Sequence, residues 1–342
     1  MRAPVTATRA LRLSRIRSDD AALWEELHRR TPDASFFAGP RYAALAAPAL
    51  AMPAALFAFQ AEDGARLAVG TLARPAGVLR RDLLAPGGGL PGQILCDAPL
   101  TPARAEALLA ALARIPDAAF HLSFEPRTVP PVGDAPERTA RREPFFVLDL
   151  APGYERVFAD AFAKDFREQC RKSARRGVSV GFAEGRADFV AFGHLYRRAA
   201  QAWNPAARRP LAFFAACARE AAAPASPVHL LLARSERHDG AAVAGLLLVH
   251  VGDTVTAWMA AMDRGARELA PSAAVYRAAV EWACARGVTR FLLGASGGIA
   301  SVEAFKRSLG AEPVPCVTGL EVRGRAREWI RRTRAAVAVA RS

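Results

Sequence analysis

The stretch Pro271–Gly310, PSAAVYRAAVEWACARGVTRFLLGASGGIASVEAFKRSLG, leaves few local folds open. Ala274, Val275, Ala278, Ala279, Trp282 and Ala283 recur at helical spacing and predict one apolar helix face. Ser272 is placed to cap that helix at its start, and Gly287 to end it in a left-handed turn. Phe291-Leu292-Leu293 is a short apolar run between Arg290 and Gly294, as in a strand covered on both faces. The loop from Gly294 to Gly298 lets a ligand approach the backbone, because glycine carries no Cβ. Phe305 and Lys306 then stand on a short helix that ends at Gly310. A strand opening into a small-residue loop and a helix start can hold an anion or a polarised carbonyl. An ordinary αβα packing unit carries the same pattern.

The rest of the chain alternates in kind. Helices are predicted from Asp19 to Arg29, Pro40 to Ala47 and Thr101 to Ile115, and strands over 54–61, 66–74, 78–84 and 118–124. Pro126–Pro136 reads as an irregular linker. A strand from Phe145 to Leu150 precedes one long helix, Tyr154 to Arg176, with Phe158, Phe162, Phe166 and Cys170 on one face. From Val178 onward the order is strand, two helices, three antiparallel strands, helix, strand, helix, and a last strand over 315–322. The two halves repeat weakly. Asp-Gly turns fall at 63–64 and 239–240, helices start at 101 and 272, and strands start at 118 and 289.

At 342 residues the chain suits two cores better than one. It carries 47 Lys+Arg against 33 Asp+Glu, a net charge of +14 that favours anionic partners. Only three of the basic residues are lysines: Lys164, Lys172 and Lys306. Five cysteines, none in a CxxC, argue for reduced thiols, a cytoplasmic setting and no structural zinc. No HExxH occurs, so no metal is expected. The N-terminus lacks an apolar core and is not read as a secretory signal. The uncharged run 42–59 is broken by Pro48 and Pro53, and reads as helix, break and strand rather than a membrane span.

The order of elements after Val178 is that of the GNAT acyltransferases, and the chain resembles their Fem-type branch, which is built from tandem GNAT-like domains. Three segments carry the resemblance over 154–310: the basic helix end FREQCRKSARRGV from Phe166 to Val178, the S-x-x-x-Y helix start from Ser272 to Tyr276, and Phe305-Lys306-x-x-Leu309-Gly310. It implies an α+β fold of two tandem GNAT-like domains, each a mixed, mostly antiparallel sheet flanked by helices. The expected divisions are 1–144 for a degenerate N-terminal domain, 145–323 for the acyltransferase domain, and 324–342 for a basic C-terminal helix. The segment 263–271 lacks the R/Q-x-x-G-x-G/A loop with which ordinary GNAT enzymes cradle the coenzyme pyrophosphate.

The resemblance implies N-acyl transfer to a small-molecule or peptide amine. A coenzyme A thioester is slightly favoured as donor over a charged tRNA. The third possibility is a catalytically silent GNAT-like binding module in envelope or polysaccharide assembly. Lys306 is the expected oxyanion- or phosphate-stabilising cation, with Phe305 as pocket wall. Candidate donor- and substrate-binding residues are Trp258, Ser272, Tyr276, Gly294, Ser296, Gly297, Arg171, Lys172 and Trp203. The basic helix around Arg171 and Lys172 suits phosphate steering of a tRNA or coenzyme. The tail 323–341, with seven arginines against Glu328, could lie on anionic lipid or pack back on the first domain.

Overall fold

The computed structural model describes residues 11–16, 21–76, 81–86, 90–130, 133–204 and 207–324. The basic tail from 325 onward, like the helix start at Asp19 and the first residues of the strand expected from Val78, lies outside the described residues.

The N-terminal half runs β1 (Leu13–Ile16), α1 (Ala21–Arg30), α2 (Pro40–Leu50), β2 (Ala54–Ala61), β3 (Arg66–Pro75), β4 (Arg81–Ala85), β5 (Leu95–Cys96), α3 (Pro102–Leu112) and β6 (Ala118–Leu122). Thr101 caps α3 by accepting from the Arg104 N–H, and Pro102 sits where no N–H is needed. β7 (Arg138–Asp149) leads into the second half. There follow α4 (Tyr154–Arg156), α5 (Lys164–Arg175), β8 (Val178–Phe182), α6 (Arg186–Trp203), α7 (Leu211–Ala221), β9 (Val228–Ser235), β10 (Ala242–Val251), β11 (Thr254–Met262), α8 (Pro271–Cys284), β12 (Arg290–Ala295), α9 (Ala300–Ser308) and β13 (Glu312–Arg323).

All these strands join one mixed sheet, ordered β1-β2-β3-β4-β6-β13-β7-β12-β11-β10-β9-β8, with β5 beside β3. The repeat is visible in its two ends. Each half has a three-stranded meander whose last strand runs parallel to the strand after the following helix: β4 with β6, and β11 with β12. The middle is an exchange. β7, which follows the first half in sequence, pairs with β12 of the second, while β13, at the end of the second, pairs with β6 of the first. β7 and β13 pair with each other from Val147↔Glu312 to Arg138↔Val322. The expected division between residues 144 and 145 therefore lies inside β7.

The halves also share a core. Phe36, Phe37 and Tyr42 from the start of the chain pack edge-to-face on Trp258 of β11, with ring centroids 6.2, 5.2 and 6.0 Å away. Phe213 of α7 adds a further edge at 5.6 Å. Buried aromatics of this kind contribute roughly 1.5–3 kcal/mol each through area alone.

Two local expectations need correction. The helix expected from Tyr154 to Arg176 is interrupted: a π-helical segment, Val157–Ala161, follows α4, and Phe162 is extended. The break is tertiary in origin. The Ala163 N–H donates to the Ser308 carbonyl, and the Arg167 guanidinium gathers the carbonyls of Ala159 and Phe162. Gly310 approaches so closely that a Cβ there would stand 2.5 Å from the Ala161 carbonyl oxygen. Ser272, secondly, is not the cap of α8. Ala270 occupies that position in the left-handed region, and the helix starts at Pro271 without a side-chain cap.

Candidate active site

The two parallel pairs differ in one respect that positions the site. In the first half β4 and β6 stay together from Arg81↔Ala118 to Ala85↔Leu122, and a further bridge joins Gly92 to Phe124. In the second half β11 and β12 pair only from Thr254↔Arg290 to Thr256↔Leu292. Beyond that point they part. β12 bulges between Leu292 and Gly294 while keeping its pairing with β7 through to Ala295↔Phe145. Gly294 has φ +73, a conformation that penalises any residue with a Cβ.

The parting opens a cavity of about 940 Å³ between the halves. Thr256, Ala257 and Trp258 form one wall, and Leu293, Gly294, Ala295, Ser296 and Gly297 the other. Its floor is the exchanged ribbon: His121 of β6, Gly319 and Glu321 of β13, and Thr139, Arg141, Glu143 and Phe145 of β7. A smaller cavity of about 350 Å³ shares Thr256 and Pro91 with it and lies against Glu125, Arg127 and Asp253. Glu125 there is held by Arg290 at 3.2 Å, and Asp253 by Arg127 at 3.2 Å, so this second cavity is rimmed by pairs that tie the halves together.

Lys306 is buried, with 7% of its surface exposed. Its Nζ donates to the carbonyls of Gly294 and Ala295 at 2.8 and 2.9 Å, and lies 5.4 Å from the Phe146 ring centroid. Burial lowers its pKa to about 8. The ammonium thus grips the back of the cavity loop and is not among the residues lining the cavity. In a trans peptide the carbonyl and the following N–H point in opposite directions. With these two carbonyls turned onto Nζ, the N–H groups of Ala295 and Ser296 are turned away from it.

Of the residues expected at the site, Trp258, Gly294, Ser296 and Gly297 meet at the cavity. Phe305 and Tyr276 do not line it. They pack edge-to-face at 5.1 Å against the core beneath the loop, where burial raises the Tyr276 hydroxyl pKa. Ser272 stands at the start of α8, and Arg171 and Lys172 on the outside of α5; none of the three lines the cavity. Trp203 ends α6, and its side chain lies outside the described residues. Sequence reading missed Arg141 and Glu143. The two-residue alternation Thr139, Arg141, Glu143, Phe145 was the available signal, masked by the charged residues between.

The segment before α8, where GNAT enzymes cradle a pyrophosphate, is closed. Arg264–Leu269 form a 3-10 turn with Ala266 and Leu269 fully buried. The N–H groups of Gly265, Ala266 and Ala270 bond to Asp263 and Arg267 within the turn, and Pro271 has none. The segment does not fit a coenzyme pyrophosphate. Among the described residues no group of three His, Cys, Asp or Glu could hold a metal ion, and no helix is long and apolar enough to cross a membrane.

The fold and cavity define a tandem GNAT-like architecture. The family described as "Acetyltransferase (GNAT) domain" matches residues 161–307. The crystal structure of FemX superposes with a TM-score of 0.63 at 11% identity, over 90% of this chain and 96% of that one. L-PGS from Bacillus licheniformis gives 0.51 at 12%, over 95% and 98%. A tandem GNAT protein from the clavulanic acid biosynthesis pathway gives 0.52 at 16%, over 91% and 98%. No curated protein sequence matches the chain. Residues 161–307 thus match the GNAT acetyltransferase domain family, and in fold the chain is similar to FemX, L-PGS and the tandem GNAT protein.

Proposed function

We propose that the protein transfers an acyl group from an activated ester or thioester to an amine in the cavity between β11 and β12. The observation that carries this reading is the parting of these strands after Thr256↔Leu292 onto a cavity whose loop is gripped from behind by Lys306. The amine nitrogen forms a bond to the acyl carbon, the bond from that carbon to the donor's sulfur or oxygen breaks, and the amine's proton leaves with the departing thiol or hydroxyl. Negative charge gathers on the acyl oxygen during the step. Lys306 acts as a positioning residue: it holds two successive peptides so that the Ser296 N–H serves that oxygen, and adds a positive field one peptide away.

One observation favours an aminoacyl ester of tRNA over a coenzyme A thioester as donor. In the closed turn 264–270 the N–H groups of Gly265, Ala266 and Ala270 are already bonded within the turn and Pro271 has none, whereas α5 carries an exposed Arg171 beside a half-buried Lys172. A cytoplasmic location goes with this reading, since the cysteines at 96, 170, 217, 284 and 316 are all free thiols. Incubating the protein with acyl-CoA or aminoacyl-tRNA and a panel of amines, followed by mass spectrometry of the products, tests both donors together. Transfer from acyl-CoA alone would sink the tRNA reading.

A further inference from the structure

The ribbon β7–β13 that floors the cavity presents a pair of opposite charges whose bonding is incomplete. Glu143 Oε2 accepts from the Thr318 hydroxyl at 3.2 Å and lies 3.7 Å from Arg141 Nε. Neither contact uses Oε1, and the distance to Arg141 is too long for a hydrogen bond. Thr318, only 3% exposed, fixes the carboxylate from below. The other charges of the floor are more fully engaged. Glu321 takes both its oxygens to Arg323 at 2.8 and 2.9 Å, and Asp82 beneath the wall accepts from Arg74 at 3.1 Å.

Beside this pair the floor is open. Gly319 is the register partner of Arg141, and a Cβ built there would come no nearer than 3.7 Å to any atom. A ligand group can therefore lie on the ribbon's backbone next to the guanidinium. On the far side of Glu143 the lining becomes apolar, with Phe145, Leu293 and Trp258.

We infer that the acceptor is a free α-amino acid with an apolar side chain. Its ammonium binds Glu143 and releases one proton to solvent before the nitrogen attacks, its carboxylate binds Arg141, and its side chain points to Phe145, Leu293 and Trp258. The spacing makes the choice: an anion site and a cation site 3.7 Å apart match an amine and a carboxylate borne on one carbon. A long diamine or a lysine side chain would leave Arg141 without a partner. This inference rests on the acyl-transfer reading for what happens next, but not for binding.

The test is calorimetric binding without any donor. L-phenylalanine, phenethylamine and 3-phenylpropionate present both charges, the amine alone and the carboxylate alone. The wild type should bind L-phenylalanine about tenfold to a hundredfold more tightly than either partial ligand, the range for a hydrogen bond to a charged group. Arg141→Met should bring L-phenylalanine down to phenethylamine and leave phenethylamine unchanged. Glu143→Gln should bring it down to 3-phenylpropionate. Unchanged melting temperatures establish that both variants fold. Equal affinity for amino acid and amine in the wild type, no binding of L-phenylalanine, or an equal loss for both ligands in Arg141→Met would each overturn the inference. Transfer to simple amines without this discrimination would remove the inference and keep the acyl-transfer reading. Selective amino-acid binding with no transfer from any donor would do the reverse.

Discussion

Replacing Lys306 by methionine separates stability from chemistry. The ammonium makes two hydrogen bonds to carbonyls, at 2.8 and 2.9 Å. Bonds to a charged group contribute about 1.5–3 kcal/mol each, so the pair gives about 3–6 kcal/mol. Against this, burial lowers the lysine from its ordinary 10.5 to about 8, a cost of about 3 kcal/mol at neutral pH. The two nearly offset, and Met keeps the stem's packing against Phe146. Lys306→Met should therefore lose no more than about 3 kcal/mol of stability. Its turnover should fall about a hundredfold to a thousandfold, as when a preorganised oxyanion donor is lost.

The pH dependence has a definite sign. The folded-state pKa lies below the unfolded one, so between pH 8 and 10.5 the unfolded chain holds a proton that the folded one lacks. Stability contributed by this group therefore rises with pH across that window, and is at its lowest below pH 8. Lys306→Met should lack the rise, while wild-type turnover should fall above pH 8 as the cation is lost. Chemical unfolding and kcat measured over pH 7–10 read both. Wild-type kcat/KM in a folded Lys306→Met protein, or a kcat indifferent to pH through 8, would refute the positioning role.

Three further outcomes follow from the packing and charge pairs. Gly310→Ala forces a Cβ against the Ala161 carbonyl at φ +77 and should cost at least about 1–3 kcal/mol in unfolding experiments. Asp253 is held near pKa 2 by the Thr254 hydroxyl and the Arg127 guanidinium. Its contribution is present above pH 4 and lost as pH falls toward 2, so Asp253→Asn should flatten the acid limb of the stability curve there. Neutralising Arg171 and Lys172 together should weaken tRNA binding and reduce the salt slope by about one for each phosphate no longer neutralised; an unchanged slope would place the RNA-binding face elsewhere.

The stretch 271–310 was legible because its elements are locally specified: a periodic apolar face, a three-residue buried strand, and glycines where the backbone turns left-handed. Three features were not. The break in the helix at Phe162 comes from Ser308 and Gly310, almost 150 residues away, and leaves the spacing of Phe158, Phe162 and Phe166 untouched. The first half of β7, RTARREP, faces solvent and cavity rather than core, so no apolar alternation marks it as a strand. The Lys306 grip depends on a bulge at Gly294. Sequence placed the lysine beside the loop, but could not say that its ammonium points behind it.

Mass spectrometry of the products reads acyl transfer in the β11–β12 cavity directly. With acyl-CoA and aminoacyl-tRNA supplied side by side to a panel of amines that includes free amino acids, the wild type should give an amide product. Folded Lys306→Met should give about a hundredfold less. No transfer from either donor class to any amine, by a wild-type protein that melts cooperatively, would contradict the acyl-transfer reading.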